Sequence, residues 1–169
     1  MTGARSRPVR GGGAPPARWF ALVAALSFGV VVAALVSQHA FAMAPCPWCV
    51  LQRLIFVAIG IFALLGLVWR GPAGSRVAGT FALLLAVAGI AAAGWQHLVA
   101  AKSASCNLTL ADRIMSATQL DRLLPDVFEA RASCADAAVA LLGAPYAMWS
   151  ALAFGVCALV LIGILRRSA

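Results

Sequence analysis

The sequence predicts an all-α fold: an integral membrane four-helix bundle with a short surface-lying amphipathic helix in its second exported loop. Three observations carry this reading. Of the 169 residues, 63% are hydrophobic and only 11% charged, against roughly 25% charged in soluble domains. Four apolar runs reach the roughly 20 residues needed to cross about 30 Å of hydrocarbon. The formal charge of +8 is divided among separate basic segments by those runs, which excludes a continuous nucleic-acid groove and suits membrane topology instead.

In chain order, residues 1–18 read as a disordered cytoplasmic tail, rich in Gly (Gly11 to Gly13) and carrying Pro15 and Pro16. Residues 19–165 form a single transmembrane domain with spans at 19–37, 50–69, 77–99 and 146–165, and 166–169 are a second cytoplasmic tail. Basic residues in short loops and tails stay on the cytoplasmic side. Arg5, Arg7, Arg10 and Arg18 precede the first span, Arg70 and Arg76 bracket the second turn, and Arg166 and Arg167 follow the last span. A four-span chain brings all three segments to one face, so both termini are expected in the cytoplasm. The loops 38–49 and 100–145 are then exported, and all five acids, from Asp112 to Asp136, lie in the second of them. A cleavable leader ending near Ala40, Phe41 and Ala42 is the rival reading; cleavage would leave three spans with basic segments on opposite faces.

Four of the five cysteines, Cys46, Cys49, Cys106 and Cys134, fall in the exported loops, where disulfides persist. Cys157 falls within the fourth span and reads as a small apolar filler. Cys46-Pro47-Trp48-Cys49 has the Cys-x-x-Cys spacing that closes a short, easily reversed disulfide. Haem attachment would need a His after the second cysteine, where Val50 stands, and zinc would want a second close pair, so no metal site is expected. A merely structural disulfide stays open at this point.

Pro45 and Pro47 break regular structure ahead of the second span, which sets Cys49 at or beside a helix N-terminus. Unpaired amides at such a position favour a thiolate. Arg53, four residues on, shares the helical face of Cys49 one turn deeper. It is the basic residue placed within a span, where arginine costs about 2.5 to 3.5 kcal/mol on insertion scales; the alternative is a side chain that snorkels to the interface. Leu120, Leu123, Leu124, Val127 and Phe128 recur at helical spacing among charged residues, with a break expected at Pro125. They describe a membrane-surface helix, or a cover that packs on the bundle and does nothing else. Gln96 and His97 end the third span; His97 is either an interfacial anchor or part of the lining of a cofactor site beside Cys49 and Arg53. Gly79, Gly89, Gly94 and the alanines from Ala91 to Ala93 suit close packing of that span.

Together, the Pro45 to Cys49 motif opening the second span, Arg53, the separated Cys106 and Cys134, Gln38-His39, His97 and Val127-Phe128 resemble the disulfide bond formation protein B (DsbB) family, over about Trp19 to Leu165. In general, the bacterial periplasm is kept oxidising by a relay from DsbA through DsbB to quinone. The resemblance implies a protein-disulfide:quinone oxidoreductase of the bacterial inner membrane. Its partners would be a periplasmic thioredoxin-like dithiol oxidase, the membrane quinone pool (ubiquinone or menaquinone) and the bilayer, with no nucleic acid. It also implies redox disulfides Cys46–Cys49 and Cys106–Cys134, attack of the partner on Cys106, attack of Cys134 on Cys46, and a cofactor site at Cys49, Arg53 and His97. The rival is a non-catalytic membrane scaffold or binding protein whose exported loops are braced by structural disulfides.

Overall fold

The computed structural model describes residues 17–69, 71–102, 109–137, 140–141 and 143–168. Most of the N-terminal tail, Arg70 and Cys106 lie outside them. Four helices among the described residues are long and apolar enough to cross a membrane: α1 (Ala17–Ala40), α2 (Pro47–Val68), α3 (Pro72–Leu98) and a final helix, α7 (Tyr146–Ser168). Between α3 and α7 lie α4 (Leu110–Thr118), α5 (Leu120–Leu123) and α6 (Pro125–Phe128), then a two-residue antiparallel pairing of Ala140–Leu141 with Ala144–Pro145.

Local chemistry sets the helix ends. Both α2 and α3 start on a proline in the first turn, where its missing N–H is no loss. Cys46 caps α2 from an extended backbone, its sulfur accepting the Cys49 N–H. Helix α4 opens on a reciprocal capping box between Thr109 and Asp112 and stops where Gln119 turns left-handed at φ 54°. The break foreseen at Pro125 separates α5 from α6, Leu124 standing between them in a non-helical conformation. Helix α4 itself was not anticipated, although Thr109-x-x-Asp112 is a capping signature.

The spans pack in the cyclic order α1, α2, α3, α7. Small residues admit large ones across the interfaces. The Phe154 ring stacks on Phe56 with centroids 3.8 Å apart and lies so close to Gly89 that any side chain there would collide with it. Gly94, by contrast, faces open space. The large core runs through the bundle around Phe20, Ile59, Ala82 and Leu161. Two smaller clusters close the end of the bundle where α2 begins: one holds Cys46, Trp48, Ala111 and Cys134, the other Val50, Met115 and Phe128. The loop therefore packs on the end of α2 through Met115 and Phe128, while Leu123 stays 71% exposed, as an edge facing lipid would.

Candidate redox site

Cys46 is fully buried at the start of α2. One helical turn of geometry brings Cys49 to it, the two sulfurs lying 2.9 Å apart, so a bond of about 2.05 Å needs only a small closure. The third sulfur arrives from far along the chain. The backbone N–H groups of Arg131 and Ala132 both donate to the Pro45 carbonyl, at 2.9 and 3.2 Å. That clasp fixes the segment leading to Cys134, which is buried in the same cluster as Cys46 and Trp48. The Cys134 sulfur is in hydrogen-bond contact with the Cys46 thiol and with the backbone N–H of Trp48. Those two contacts hold the Cys134 thiol below its ordinary pKa, against the opposing effect of burial. At Cys46 the contacts with Cys134 and Cys49, together with burial, push the pKa up. Of these two sulfurs, Cys46 therefore holds its proton the more tightly.

Arg53 is 6% exposed and does not snorkel outward. Its Nη1 donates to Gln38 Oε1 at 2.7 Å and to the Val127 carbonyl at 3.0 Å, and its Nη2 to the Ala34 carbonyl at 3.3 Å. Gln38 is fixed in turn by donating to the Asp126 carbonyl. One guanidinium thus ties α1, α2 and α6 together through neutral oxygens, which solvate its charge without cancelling it.

Arg53 and Cys49 line one cavity of about 50 Å³ between α1, α2 and α7, with apolar walls from Val31 and Phe56 and polar groups from Tyr146 and Ser150. A wider recess of about 460 Å³ adjoins it, sharing Ser37, Met43, Ala44 and Ala137. His97 is partly exposed on the last turn of α3 and is not among the residues lining either space. Its neighbour Gln96 is 4% exposed and turns inward, with Nε2 donating to Cys49 Sγ at 3.1 Å and to Cys46 Sγ at 3.5 Å, while Gln52 Nε2 donates to Gln96 Oε1. Helical phase contains the signal that separates the two: the buried stripe Ala82, Ala86, Gly89, Ala93 continues in steps of three and four to Gln96, not to His97. Gln38, Gln52, Tyr146 and Ser150 were likewise not singled out for the site; polar side chains in or beside apolar spans were the available clue.

Cys46, Cys49 and Cys134 are thus gathered, Arg53 shares a cavity with Cys49, and Cys106 falls outside the described residues. Cys157 is remote from this group, packed in the core against Ser27 at 3.8 Å. The described residues contain no His, Cys, Asp and Glu group able to hold a metal ion. Such an arrangement can pass a disulfide from one sulfur pair to another beside a buried cation.

The model of the family described as disulfide bond formation protein DsbB matches residues 16–164. Disulfide bond formation protein B of Cupriavidus metallidurans is 34% identical, covering 88% of this chain and 92% of the relative. That of Ralstonia nicotianae is also 34% identical, with 88% and 94% covered. Disulfide bond formation protein B 1 of Pseudomonas savastanoi pv. phaseolicola is 32% identical, with 89% and 90% covered. No solved structure matches the chain.

Proposed function

Because the chain belongs to the DsbB family of disulfide bond formation proteins, and so is a multi-pass membrane disulfide oxidoreductase, we propose the finer reading that it reoxidises a periplasmic thioredoxin-like dithiol oxidase and delivers the electrons to a membrane quinone. It works in the bacterial inner membrane with both termini cytoplasmic. The observation that carries the reading is the meeting of Cys134 with the Cys46–Cys49 motif beside Arg53. A scaffold with two inert braces has no use for a third sulfur buried against the first pair, and the scaffold reading is not favoured.

The partner's thiolate attacks Cys106, the Cys106–Cys134 disulfide opens, and the partner's second thiol releases it as an oxidised protein, leaving Cys106 and Cys134 reduced. Cys134, the sulfur whose pKa is held down, attacks Cys46. The Cys46–Cys49 bond breaks and its electron pair leaves on Cys49. Cys106 then attacks Cys134, restores the Cys106–Cys134 disulfide and frees Cys46. The Cys46 and Cys49 thiols re-form their disulfide, releasing two electrons and two protons that a quinone held beside Cys49 would take up as quinol, ubiquinone and menaquinone being equivalent in this respect. The residues present suit such a ring: Phe56 and Val31 offer apolar faces, and Arg53, Tyr146 and Ser150 offer donors to its carbonyl oxygens. Since about 50 Å³ holds little more than one water, ring entry requires the Met43–Ala44 wall to move and join the cavity to the adjoining recess.

The test is purified protein with quinone and a reduced thioredoxin-like partner. Quinone absorbance falls catalytically with the wild type, and stops with Cys46→Ser, Cys49→Ser, Cys106→Ser or Cys134→Ser. Full turnover in Cys46→Ser would overturn the reading.

A further inference from the structure

We infer that Gln96 is a catalytic residue of the disulfide exchange, donating its side-chain N–H to the charge that develops on Cys49 when the Cys46–Cys49 bond opens, and that Gln52 is the positioning residue that aims it. The inference rests on the reading of Cys49 as the leaving sulfur. In that step the Cys134 sulfur forms a bond to Cys46, the Cys46–Cys49 bond breaks, and the electron pair stays on Cys49 with no proton transferred. An anion thus appears inside a buried cluster.

Arg53 is the obvious stabiliser, but its guanidinium donates to the Gln38 side chain and the carbonyls of Val127 and Ala34, on the side of α1 and α6. Gln96 reaches the sulfurs from α3, with Nε2 at 3.1 Å from Cys49 Sγ and 3.5 Å from Cys46 Sγ. Its amide is not free to reverse: Gln52 Nε2 donates to Gln96 Oε1, and a carbonyl oxygen turned toward a thiolate would repel it. Both glutamines are buried, at 3% and 4% exposure. Two buried amides in apolar spans are costly unless each finds partners. Here the second amide spends its acceptor on Gln52 and its donors on the motif sulfurs. Donors already aimed at the site of developing charge need no reorganisation when the bond breaks, the logic of an oxyanion hole. Loss of one such donor costs about 10² to 10³ in rate at an oxygen anion; for a larger, softer sulfur anion we expect about tenfold to hundredfold.

The experiment opens the Cys46–Cys49 disulfide of the full-length protein with a small dithiol, without quinone or protein partner, and follows Cys49 by alkylation and mass. Gln96→Met keeps the length and removes the donor, and slows opening about tenfold to hundredfold in the folded protein. Gln96→Glu is slower still near neutral pH. Relative to the wild type at each pH, it recovers as the pH falls and the carboxyl gains a proton to donate, a profile that a packing role would not produce. Gln52→Leu gives a smaller slowing, and its rate decides the matter should Gln96→Met fail to fold. Wild-type opening rates in both Gln96→Met and Gln52→Leu, or a Gln96→Glu profile parallel to wild type, would overturn the inference. Quinone reduction is measured separately, so that failure of the proposed electron acceptor leaves the Gln96 result interpretable.

Discussion

Cys134 and Cys46 differ in what surrounds them more than in how deeply they are buried. Cys134 accepts from the Cys46 thiol and the Trp48 N–H, whereas Cys46 has sulfurs on two sides. A lowered pKa moves the half-point of thiolate formation to lower pH, and a raised one moves it up. In the fully reduced protein, alkylation of Cys134 should therefore reach half its limiting rate below the pH typical of a free thiol, and that of Cys46 well above it. Labelling rates against pH, read residue by residue by mass, check the order; Cys46 titrating first would refute it. Cys157, packed in the mid-span core, should tolerate Cys157→Ser with full turnover. Arg53 has two duties that substitution separates. Arg53→Gln removes a charge beside Cys49 and raises the quinone KM about tenfold or more, while opening of Cys106–Cys134 by a small dithiol stays unchanged. It also strands the Gln38 side-chain oxygen and the Val127 carbonyl, at about 1–3 kcal/mol for each buried acceptor left without a donor. Arg53→Lys retains charge without the planar fork, so it should recover more of the quinone affinity than of the thermal midpoint.

At the scale of elements, the loop between α3 and α7 acts as a clasp. Phe128 of α6 packs with Val50 and Met115, and the Arg131 and Ala132 amides bind the Pro45 carbonyl. Both contacts lie between the surface pieces and Cys134. Phe128→Ala should cost about 3–5 kcal/mol of local packing, expressed as loosening of the loop and not as unfolding of the spans. The expected readings are faster amide exchange at Arg131 and Ala132 and a slower transfer from Cys106–Cys134 to Cys46–Cys49. Unchanged exchange at those amides would show that the clasp holds without Phe128. How far the sequence revealed this is uneven. The four spans, the motif at the head of α2, the buried arginine and the break at Pro125 follow from local composition and periodicity, which a chain displays openly. The approach of Cys134 to Cys46 does not, because it rests on backbone hydrogen bonds between segments remote in sequence. The preference for Gln96 over His97 was present only as helical phase, a matter of one residue, or about 100° around α3.

Across the whole molecule, chemistry and charge occupy opposite ends. Cys46, Cys49, Cys134 and Gln96 gather where α2 begins and α3 ends, and Arg18, Arg76, Arg166 and Arg167 lie at the opposite ends of α1, α3 and α7. Arg18 and Arg167, from α1 and α7, both lie over the Trp19 ring, at 5.6 and 5.5 Å; an indole between two guanidiniums suits the membrane interface. The proposed reaction depends on this basic end facing the cytoplasm, as the positive-inside rule expects. An alkaline phosphatase reporter, which matures only outside the cytoplasm, should be inactive when joined after Ser168 and active when joined after Lys102. A fluorescent reporter that matures only inside should give the reverse pattern. Replacing Arg166 and Arg167 with Asn alone should leave this pattern intact, because Arg76 and the N-terminal arginines still hold the same face. The opposite pattern in the unaltered chain would set the motif sulfurs in a reducing compartment, where thiols are kept reduced, and oxidation of an exported partner could not proceed from there.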